Sequence, residues 1–285
     1  MNTAVFPNFQ KKNALKCARE VCDILNNSGI NVFIDEKYKN EFADKAFVKF
    51  GRFSEFVVSA EIIIAIGGDG TILKCAKQIV EYGSNSCLMG INTGRLGFMA
   101  ALEYGQLNLL ENLISKNYSV VERMMIEAEI FDGSGRIITA LNDVTISGMY
   151  SKICDFEVFS NNSRIGKYRA DGVVFGTPTG STAYSLSAGG PIIDPEMECI
   201  EMALICPHSL FARPMVISAE KKITFVPSND MNTDVFVCVD GNDPVKLQKG
   251  VKVEIRRSEH KVKLIDMTGD LFYNALNSKL MQPIK

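Results

Sequence analysis

Residues 62–73 read IIIAIGGDGTIL, and this stretch decides the fold. The apolar run Ile62–Ile66 fits a strand buried in a parallel sheet. Three glycines then surround one carboxylate in Gly67-Gly68-Asp69-Gly70. Thr71 opens a helical pattern in which Ile72, Leu73, Ala76, Ile79 and Val80 share one face. Glycines at a strand-to-helix turn let a ligand approach the backbone, and the helix start offers unpaired N–H groups to an anion. Asp69 would repel a phosphate there unless a cation or a reacting hydroxyl stood between them, which points to phosphoryl transfer. A plainer description fits the same residues: Gly-rich turns follow many buried strands, and Asp near a helix start often caps it. No Gly-Lys-Ser/Thr follows, so this is not a P-loop, and G-x-G-x-x-G cannot be laid over residues 67–73.

Around this stretch the first part of the chain alternates strand and helix. Residues 11–27 carry Ala14, Leu15, Ala18, Val21, Cys22 and Leu25 at helical spacing, ending near Gly29. Val32–Ile34 reads as a short strand, 71–82 as a helix, 87–91 as another strand and Leu107–Ile114 as a helix. The first strand, Thr3–Phe6, is expected to be abbreviated. The spacing predicts an α/β N-terminal domain with a parallel sheet over residues 1–120, ligands lying at the carboxyl ends of its strands. Both Gly67–Thr71 and the turn Asn92–Phe98 fall at such ends.

After residue 120 the pattern changes. Segments 124–131 and 136–141 flank Asp132-Gly133-Ser134-Gly135, a hairpin signal, and 153–159 and 164–169 flank Asn161-Asn162-Ser163. Short strands follow at 222–226, 234–239, 251–256 and 261–265. Residues 121–265 therefore read as an all-β, sandwich-like C-terminal domain. The tail 266–285, with Leu271, Phe272, Ala275, Leu276 and Leu280 at helical spacing, is expected to pack back on the first domain.

Residues 168–191, YRADGVVFGTPTGSTAYSLSAGGP, form a second dense constellation. A strand Gly172–Gly176 leads into Thr177-Pro178-Thr179-Gly180-Ser181-Thr182, and Ala183–Ala188 has room for a short helix. Hydroxyls and N–H groups at a helix start suit phosphate or ribose, and the same hydroxyls also satisfy turns. Tyr184 offers a ring for base stacking or a core side chain. Asn142-Asp143, just before Val144-Thr145-Ile146, suits the two hydroxyls of a ribose or an ordinary turn. His208 has no evident acidic partner and reads as structural, and Asp240-Gly241 on its own reads as a turn.

The 285 residues are 46% hydrophobic and 22% charged, as in ordinary globular proteins, with room for two domains. A net charge of −2 argues against a nucleic-acid surface. No apolar stretch nears the roughly 18 residues of a membrane span, and no signal-peptide core precedes the first domain, so a cytoplasmic location is expected. Eight cysteines without a C-x-x-C pair, and two histidines, fit buried free thiols better than disulfides or zinc.

Taken in order, these motifs resemble the NAD kinases, which phosphorylate the adenosine-ribose 2′-hydroxyl of NAD to give NADP. The resemblance rests on Gly67-Gly68-Asp69-Gly70-Thr71, Asn92-Thr93-Gly94 with Leu96-Gly97-Phe98, Asn142-Asp143, and Asp171-Gly172 through Thr177–Tyr184 to Ser187–Pro191. Pro207-His208-Ser209-Leu210, Arg213-Pro214 and Asp240-Gly241 also match. It implies that Asp69 is the catalytic carboxylate and that Gly67, Gly68, Gly70 and Thr71 face the phosphoryl donor. It implies that Phe98 walls the adenine side, and that Asn142 and Asp143 grip NAD, Asp143 on ribose hydroxyls. Thr179, Thr182, Ala183, Tyr184 and Ser187 resemble the wall of the adenine and nicotinamide pockets. Asp171 resembles a residue that reaches NAD in a neighbouring subunit, so the resemblance implies a homodimer or homotetramer with a shared active site. Arg169 sits where it would bias NAD against NADH. NAD and ATP are the implied ligands. With no P-loop lysine, Mg²⁺ is expected on the donor oxygens, with metal ligands in the chain unassigned. Asp143 stands where the family often has Glu, one methylene longer, and Met99 where an aromatic is frequent. Two alternatives are a lipid or sugar kinase sharing GGDGT, and a non-catalytic NAD-binding sensor.

Overall fold

The computed structural model describes residues 1–94, 97–228, 233–269 and 271–280. Their contacts divide the chain into two units, one of Met1–Glu122 with Val262–Lys285 and one of Arg123–Lys261.

The first unit is built on a parallel sheet of β1 (Asn2–Pro7), β2 (Asn31–Asp35), β3 (Lys49–Gly51), β4 (Ile62–Gly67) and β5 (Cys87–Asn92), ordered β3-β2-β1-β4-β5. The short β6 (Leu102–Glu103) pairs with the end of β5. β4 is buried at all six positions, as its unbroken apolar run requires of a central strand with both faces covered. β1 runs beside β2 and β4 through six residues, so the N-terminal strand is not abbreviated. Helix α1 (Ala14–Asn27) buries Ala14, Cys17, Ala18, Val21, Cys22 and Leu25. It starts three residues later than its periodicity suggested, because Asn13 stands in the left-handed region at φ 64°. Gly29, at φ 73°, ends it through N–H bonds back to the last turn, a conformation that suits glycine. Helices α2 (Phe53–Ser59), α3 (Asp69–Glu81) and α4 (Glu111–Ser115) follow. The single helix expected at 107–114 is instead a 3₁₀ segment, Tyr104–Leu110, leading into α4. Gln106 is kinked out of helical geometry, its side chain accepting from the Glu103 N–H.

In the second unit the strands are β7 (Ser119–Ile130, entering from the first unit), β8 (Arg136–Ala140), β9 (Asp143–Gly148), β10 (Cys154–Ser160), β11 (Ser163–Ala170), β12 (Gly172–Gly176), β13 (Cys199–Ile205), β14 (Met215–Ser218), β15 (Ile223–Pro227), β16 (Val235–Val239), β17 (Val245–Leu247) and β18 (Val253–Asp266). One sheet has the order β14-β13-β12-β9-β16-β17; the other runs β11-β10-β15-β18, with β7 on β18 and β8 on β7. Their apolar faces share one core, where Phe156, Val158 and Phe225 meet Ile146, Phe175 and Met202. The strands expected separately at 251–256 and 261–265 are one 14-residue strand, β18. No glycine or proline interrupts its polar middle. Arg256 draws Glu127, Glu129 and Glu254 together across it, at 2.6–3.0 Å.

A single turn of helix, α5 (Tyr184–Ser187), packs on β12 and β13. Past residue 261 the chain belongs again to the first unit, where Leu264 pairs in parallel with Leu88 of β5. Asp266 then accepts N–H bonds from Thr268, Gly269 and Leu271, launching α6 (Leu271–Leu280), which buries Leu271, Phe272 and Ala275. Residues 281–285 of the expected tail lie outside the described residues. Among the described residues no helix is long and apolar enough to cross a membrane.

Candidate active site

In the first unit Asp69 is the first residue of α3, two positions ahead of the apolar pattern that announced the helix. Gly68, extended, precedes it, and the Thr71 N–H donates back to the Gly68 carbonyl at 2.8 Å. The Asp69 carboxylate does not cap its own helix. It accepts instead from the Phe98 N–H at 2.9 Å and the Met99 N–H at 3.4 Å. Two backbone donors thus aim a half-buried carboxylate across the glycine turn. Gly97 makes this approach possible, since a β-carbon there would collide with the carboxylate itself. Gly67 is equally constrained, because a β-carbon would strike the Thr71 hydroxyl, which also takes a bond from Asn8 Nδ2 at 3.4 Å. Thr93, whose N–H binds the Gly67 carbonyl, holds a buried hydroxyl with no partner. The half-buried Phe98 ring carries Lys279 Nζ at 4.3 Å from its centroid. Arg95 and Leu96, from the same turn, lie outside the described residues.

In the second unit strand alternation sorts the six-stranded sheet into two faces. Val144, Ile146, Val173, Phe175, Ile200, Met202, Val237 and Val239 enter the core. Their alternates, Asp143, Thr145, Gly172, Val174, Gly176, Glu201 and Ala203, form the opposite face, whose polar members are Asp143, Thr145 and Glu201. Register places Asp143 beside Gly176, and Gly176 beside Glu201. Asp240, at φ 49°, turns back at the end of β16, and its carboxylate accepts the N–H groups of Leu141, Asn142 and Asp143 at 2.8, 2.7 and 3.1 Å. This clamp presents Asn142 and Asp143. Burial, and then repulsion from Asp240, push the Asp143 carboxyl up to about 6, against the bond it accepts from the Thr145 hydroxyl.

The 177–191 segment docks on that clamp. The Thr177 N–H donates to the Asn142 carbonyl and its hydroxyl to the Leu141 carbonyl, while Gly180 lies where a β-carbon would collide with the Asn142 carbonyl. Several hydroxyls are therefore structural. Ser181 bonds the Pro178 carbonyl and receives the Ile193 N–H, and Thr182 reaches back to the Thr179 carbonyl. Among the described residues Asn142 Oδ1 and Thr179 Oγ1, with Ser185 Oγ and the Glu201 carboxyl oxygens behind them in sequence, are buried without partners. Orphaned polar atoms cost free energy unless a ligand or water meets them, so they mark a binding face. Tyr184 is 45% exposed. Burial first, then Cys206, Asp143 and Asp171, raise its hydroxyl above the usual range, which places it in the field of both carboxylates. Asp171, half-buried, is held through its N–H on the Ile205 carbonyl. Ala183 and Ser187 flank Tyr184. Arg169 stands apart, exposed on β11 opposite Asp155, where its carbonyl accepts the His208 N–H.

Sequence reasoning named Asp69, Asn142, Asp143 and the 177–187 hydroxyls, but missed what holds them. Asp240 looked like a turn and is a clamp, and Gly97 was seen only as part of a motif. A carboxylate-glycine pair closing a strand of alternating apolar residues was the available signal for Asp240. The eight cysteines are free thiols, yet Cys206 is exposed at φ 45°, contrary to the expected burial, because it sits where β13 leaves the sheet.

A glycine turn that aims a carboxylate in one unit, and buried polar atoms without partners in the other, fit a nucleotide-dependent phosphotransferase. Residues 4–118 match the ATP-NAD kinase N-terminal domain and residues 141–267 the ATP-NAD kinase C-terminal domain. The chain is 35% identical over 285 residues to the NAD kinase of Natranaerobius thermophilus, covering 98% of this chain and 97% of that one. It is 38% identical over 224 residues to the NAD kinase of Symbiobacterium thermophilum, covering 77% and 78%. In fold it is similar to yeast NADH kinase in complex with NADH, at a TM-score of 0.89 and 22% identity, covering 100% of this chain and 89% of that one. It is similar also to an NAD kinase from Archaeoglobus fulgidus in complex with ATP, at a TM-score of 0.72 and 24% identity, covering 96% of each. This chain belongs to the ATP-NAD kinase family.

Proposed function

We propose that the chain transfers the γ-phosphoryl group of ATP to the 2′-hydroxyl of the adenosine ribose of NAD, giving NADP and ADP, with Asp69 as the catalytic carboxylate. The observation that carries this reading is the aim of Asp69, whose oxygens are turned by the Phe98 and Met99 N–H groups away from capping duty. A ribose hydroxyl is too weak an acid to ionise at neutral pH, so a carboxylate at hydrogen-bond distance must take its proton as the oxygen attacks. The new O–P bond forms as the bond from the γ-phosphorus to the β–γ bridging oxygen breaks, and ADP departs with that electron pair. Gly67, Gly68, Gly70 and Thr71 face the donor. Mg²⁺ belongs here to the ATP substrate, neutralising its phosphates as the chain's glycine turn does through N–H groups.

On the acceptor side Asn142 and Asp143 hold ribose hydroxyls. Thr179, Thr182, Ala183, Tyr184 and Ser187 wall the base pockets, and Phe98 lies on the adenine side. Arg169 and Asp171 act toward NAD bound by a neighbouring copy, in a homodimer or homotetramer. Support for assembly comes from Leu210 and Phe211, 86% and 90% exposed, beside Met215 and Val216 on β14. A cytoplasmic location is supported by thiols such as Cys17 and Cys22, which burial pushes up to about 12 and which remain free.

The test is NADP formation from NAD and Mg·ATP, read by coupling to an NADP-dependent dehydrogenase. Turnover lost with Asp69→Asn in a folded protein establishes both reaction and residue. NAD binding without turnover overturns the reading in favour of a sensor, and an Asp69→Asn variant at the wild-type rate removes Asp69 from the chemistry.

A further inference from the structure

Glu201 is fully buried on the face of β13 that turns away from the core. Its alternates Ile200 and Met202 point into the core, so its side chain emerges on the side where α5 packs. Three parts of the 176–190 segment converge on its carboxyl. A β-carbon on Gly190 would overlap Oε1, so that glycine lies directly on the carboxyl. A β-carbon on Gly176 would stand 3.6 Å from Oε2 and 3.5 Å from the Ser185 hydroxyl. Ser185, itself fully buried, is the polar side chain beside the carboxyl, and its hydroxyl and both carboxyl oxygens are buried without a hydrogen-bond partner among the described residues.

Burying a carboxyl costs far more as an anion than as a neutral acid. Burial raises the Glu201 carboxyl above the ordinary range, and the Ser185 hydroxyl opposes this only in part. Among the described residues its surroundings show no compensating cation: β12 offers Gly176, β14 offers Val216 by register, α5 offers Ser185, and Cys199 lies two residues away on its own strand. Glycine backbone presses against Oε1, which leaves no room for a metal ion between them. A neutral acid fits this site, because it has one O–H for the Ser185 oxygen and makes no demand for a counter-charge.

The consequence lies within two residues of Ser185. Ser185 is flanked by Tyr184, and Ser187 follows within the same helical turn, whose carbonyls are tied to the Ala188, Gly189 and Gly190 N–H groups. We propose that Glu201 is a positioning residue for NAD: its buried carboxyl, seated against Ser185, Gly176 and Gly190, fixes the height and rotation of the 184–190 turn and so the placement of Tyr184 and Ser187. The inference rests on the reading of residues 177–191 as a wall of the acceptor site. A group that only orders a binding wall affects substrate binding far more than the chemical step.

The experiment compares Glu201→Gln, Glu201→Leu and Ser185→Ala in the full-length enzyme, with steady-state kinetics in NAD at saturating Mg·ATP and thermal melts alongside. Glutamine keeps the shape and hydrogen-bonding capacity of the neutral acid. It should hold KM for NAD within about twofold of wild type, while leucine raises it about tenfold and leaves kcat within about twofold. Ser185→Ala should raise KM in the same direction, and it decides the matter if the leucine variant does not fold. A wild-type KM in Ser185→Ala and Glu201→Leu, or equal losses in the glutamine and leucine variants, overturns the proposal. Tyr184→Ala separates the two levels of the argument. If it too leaves KM unchanged, the reading of the wall has failed; if it alone raises KM, only the role of Glu201 has.

Discussion

The two carboxylates nearest the proposed chemistry are held in opposite ways. Asp69 opens a helix, half-buried, with backbone N–H groups from a neighbouring turn directing its oxygens. Asp143 lies on a sheet face among buried polar groups, and the charge that acts on it is another carboxylate, Asp240. The first arrangement directs a charge at low cost, through turn geometry and glycine. The second keeps a charge where water is scarce, an expense that ligand hydroxyls relieve when they bond to it. Aiming and desolvation are thus divided between the two units, and each can be attacked separately.

The largest expected effect is on the aimed group. Asp69→Asn keeps the shape but loses one of the two backbone bonds, since an amide nitrogen cannot accept an N–H, and it cannot take up the proton, so kcat should fall about 10²–10⁴-fold with only a small drop in melting temperature. The clamp comes next. Asp240→Ala strips three N–H groups of their carboxyl acceptor, and should cost about 3 kcal/mol in chemical denaturation while raising KM for NAD. If stability falls and KM does not, the clamp serves the fold alone.

Desolvation has a pH signature of definite sign. The Asp143 carboxyl ionises near 6 in the folded chain and near 4 in the unfolded one, so the folded state favours the protonated acid. Its stabilising contribution is complete below about pH 4 and is lost as pH rises to 6, a change of order 3 kcal/mol. Asp143→Asn should therefore be more stable than wild type at pH 7, with the gap closing toward pH 4. Ligand binding should move the opposite way, KM for NAD rising below pH 6 as the acceptor takes up a proton. A flat difference between the two proteins across this range would remove the strain from Asp143. The smallest effect is expected at Gly97→Ala, whose methyl group displaces the Asp69 carboxylate and should reduce kcat about tenfold, since small misplacements at the reacting centre suffice.

The difference between the units also sets what the sequence could reveal. The strand, the glycine turn and α3 are contiguous, so IIIAIGGDGTIL displays a whole supersecondary unit with its carboxylate inside. The acceptor face is assembled from β9, β12, β13 and β16, whose site residues are far apart in the chain. Asn142-Asp143 and Thr177–Ser187 were legible because each is dense in polar groups at a strand end. Asp240 reaches Asn142 across 98 residues, and nothing local distinguishes that contact from a turn. Glu201 looks, within CIEMALI, like one polar residue in an apolar strand, because a lone alternate carries no sign of what covers it. The uninterrupted β18 escaped for the opposite reason, since a polar centre resembles a break when its ion-pairing partners on β7 lie more than 120 residues away. The helix expected at 107–114 was misjudged at its start, because a 3₁₀ segment opened by the Glu103–Gln106 capping box already runs from Tyr104 to Leu110.

The first unit is assembled from two separated pieces of chain, Met1–Glu122 and Val262–Lys285, with the second unit contained between them. During synthesis this reverses the order in which the two halves can finish. The unit begun first lacks the strand that pairs at Leu88 until residue 264 has left the ribosome. At about 5–20 residues per second, that leaves β5 with an open edge for on the order of ten seconds. The unit begun second is uninterrupted and is complete once residue 261 emerges, only shortly before that edge is covered. An unpaired parallel edge is a template for other chains, so the nascent first half is where a chaperone is most needed.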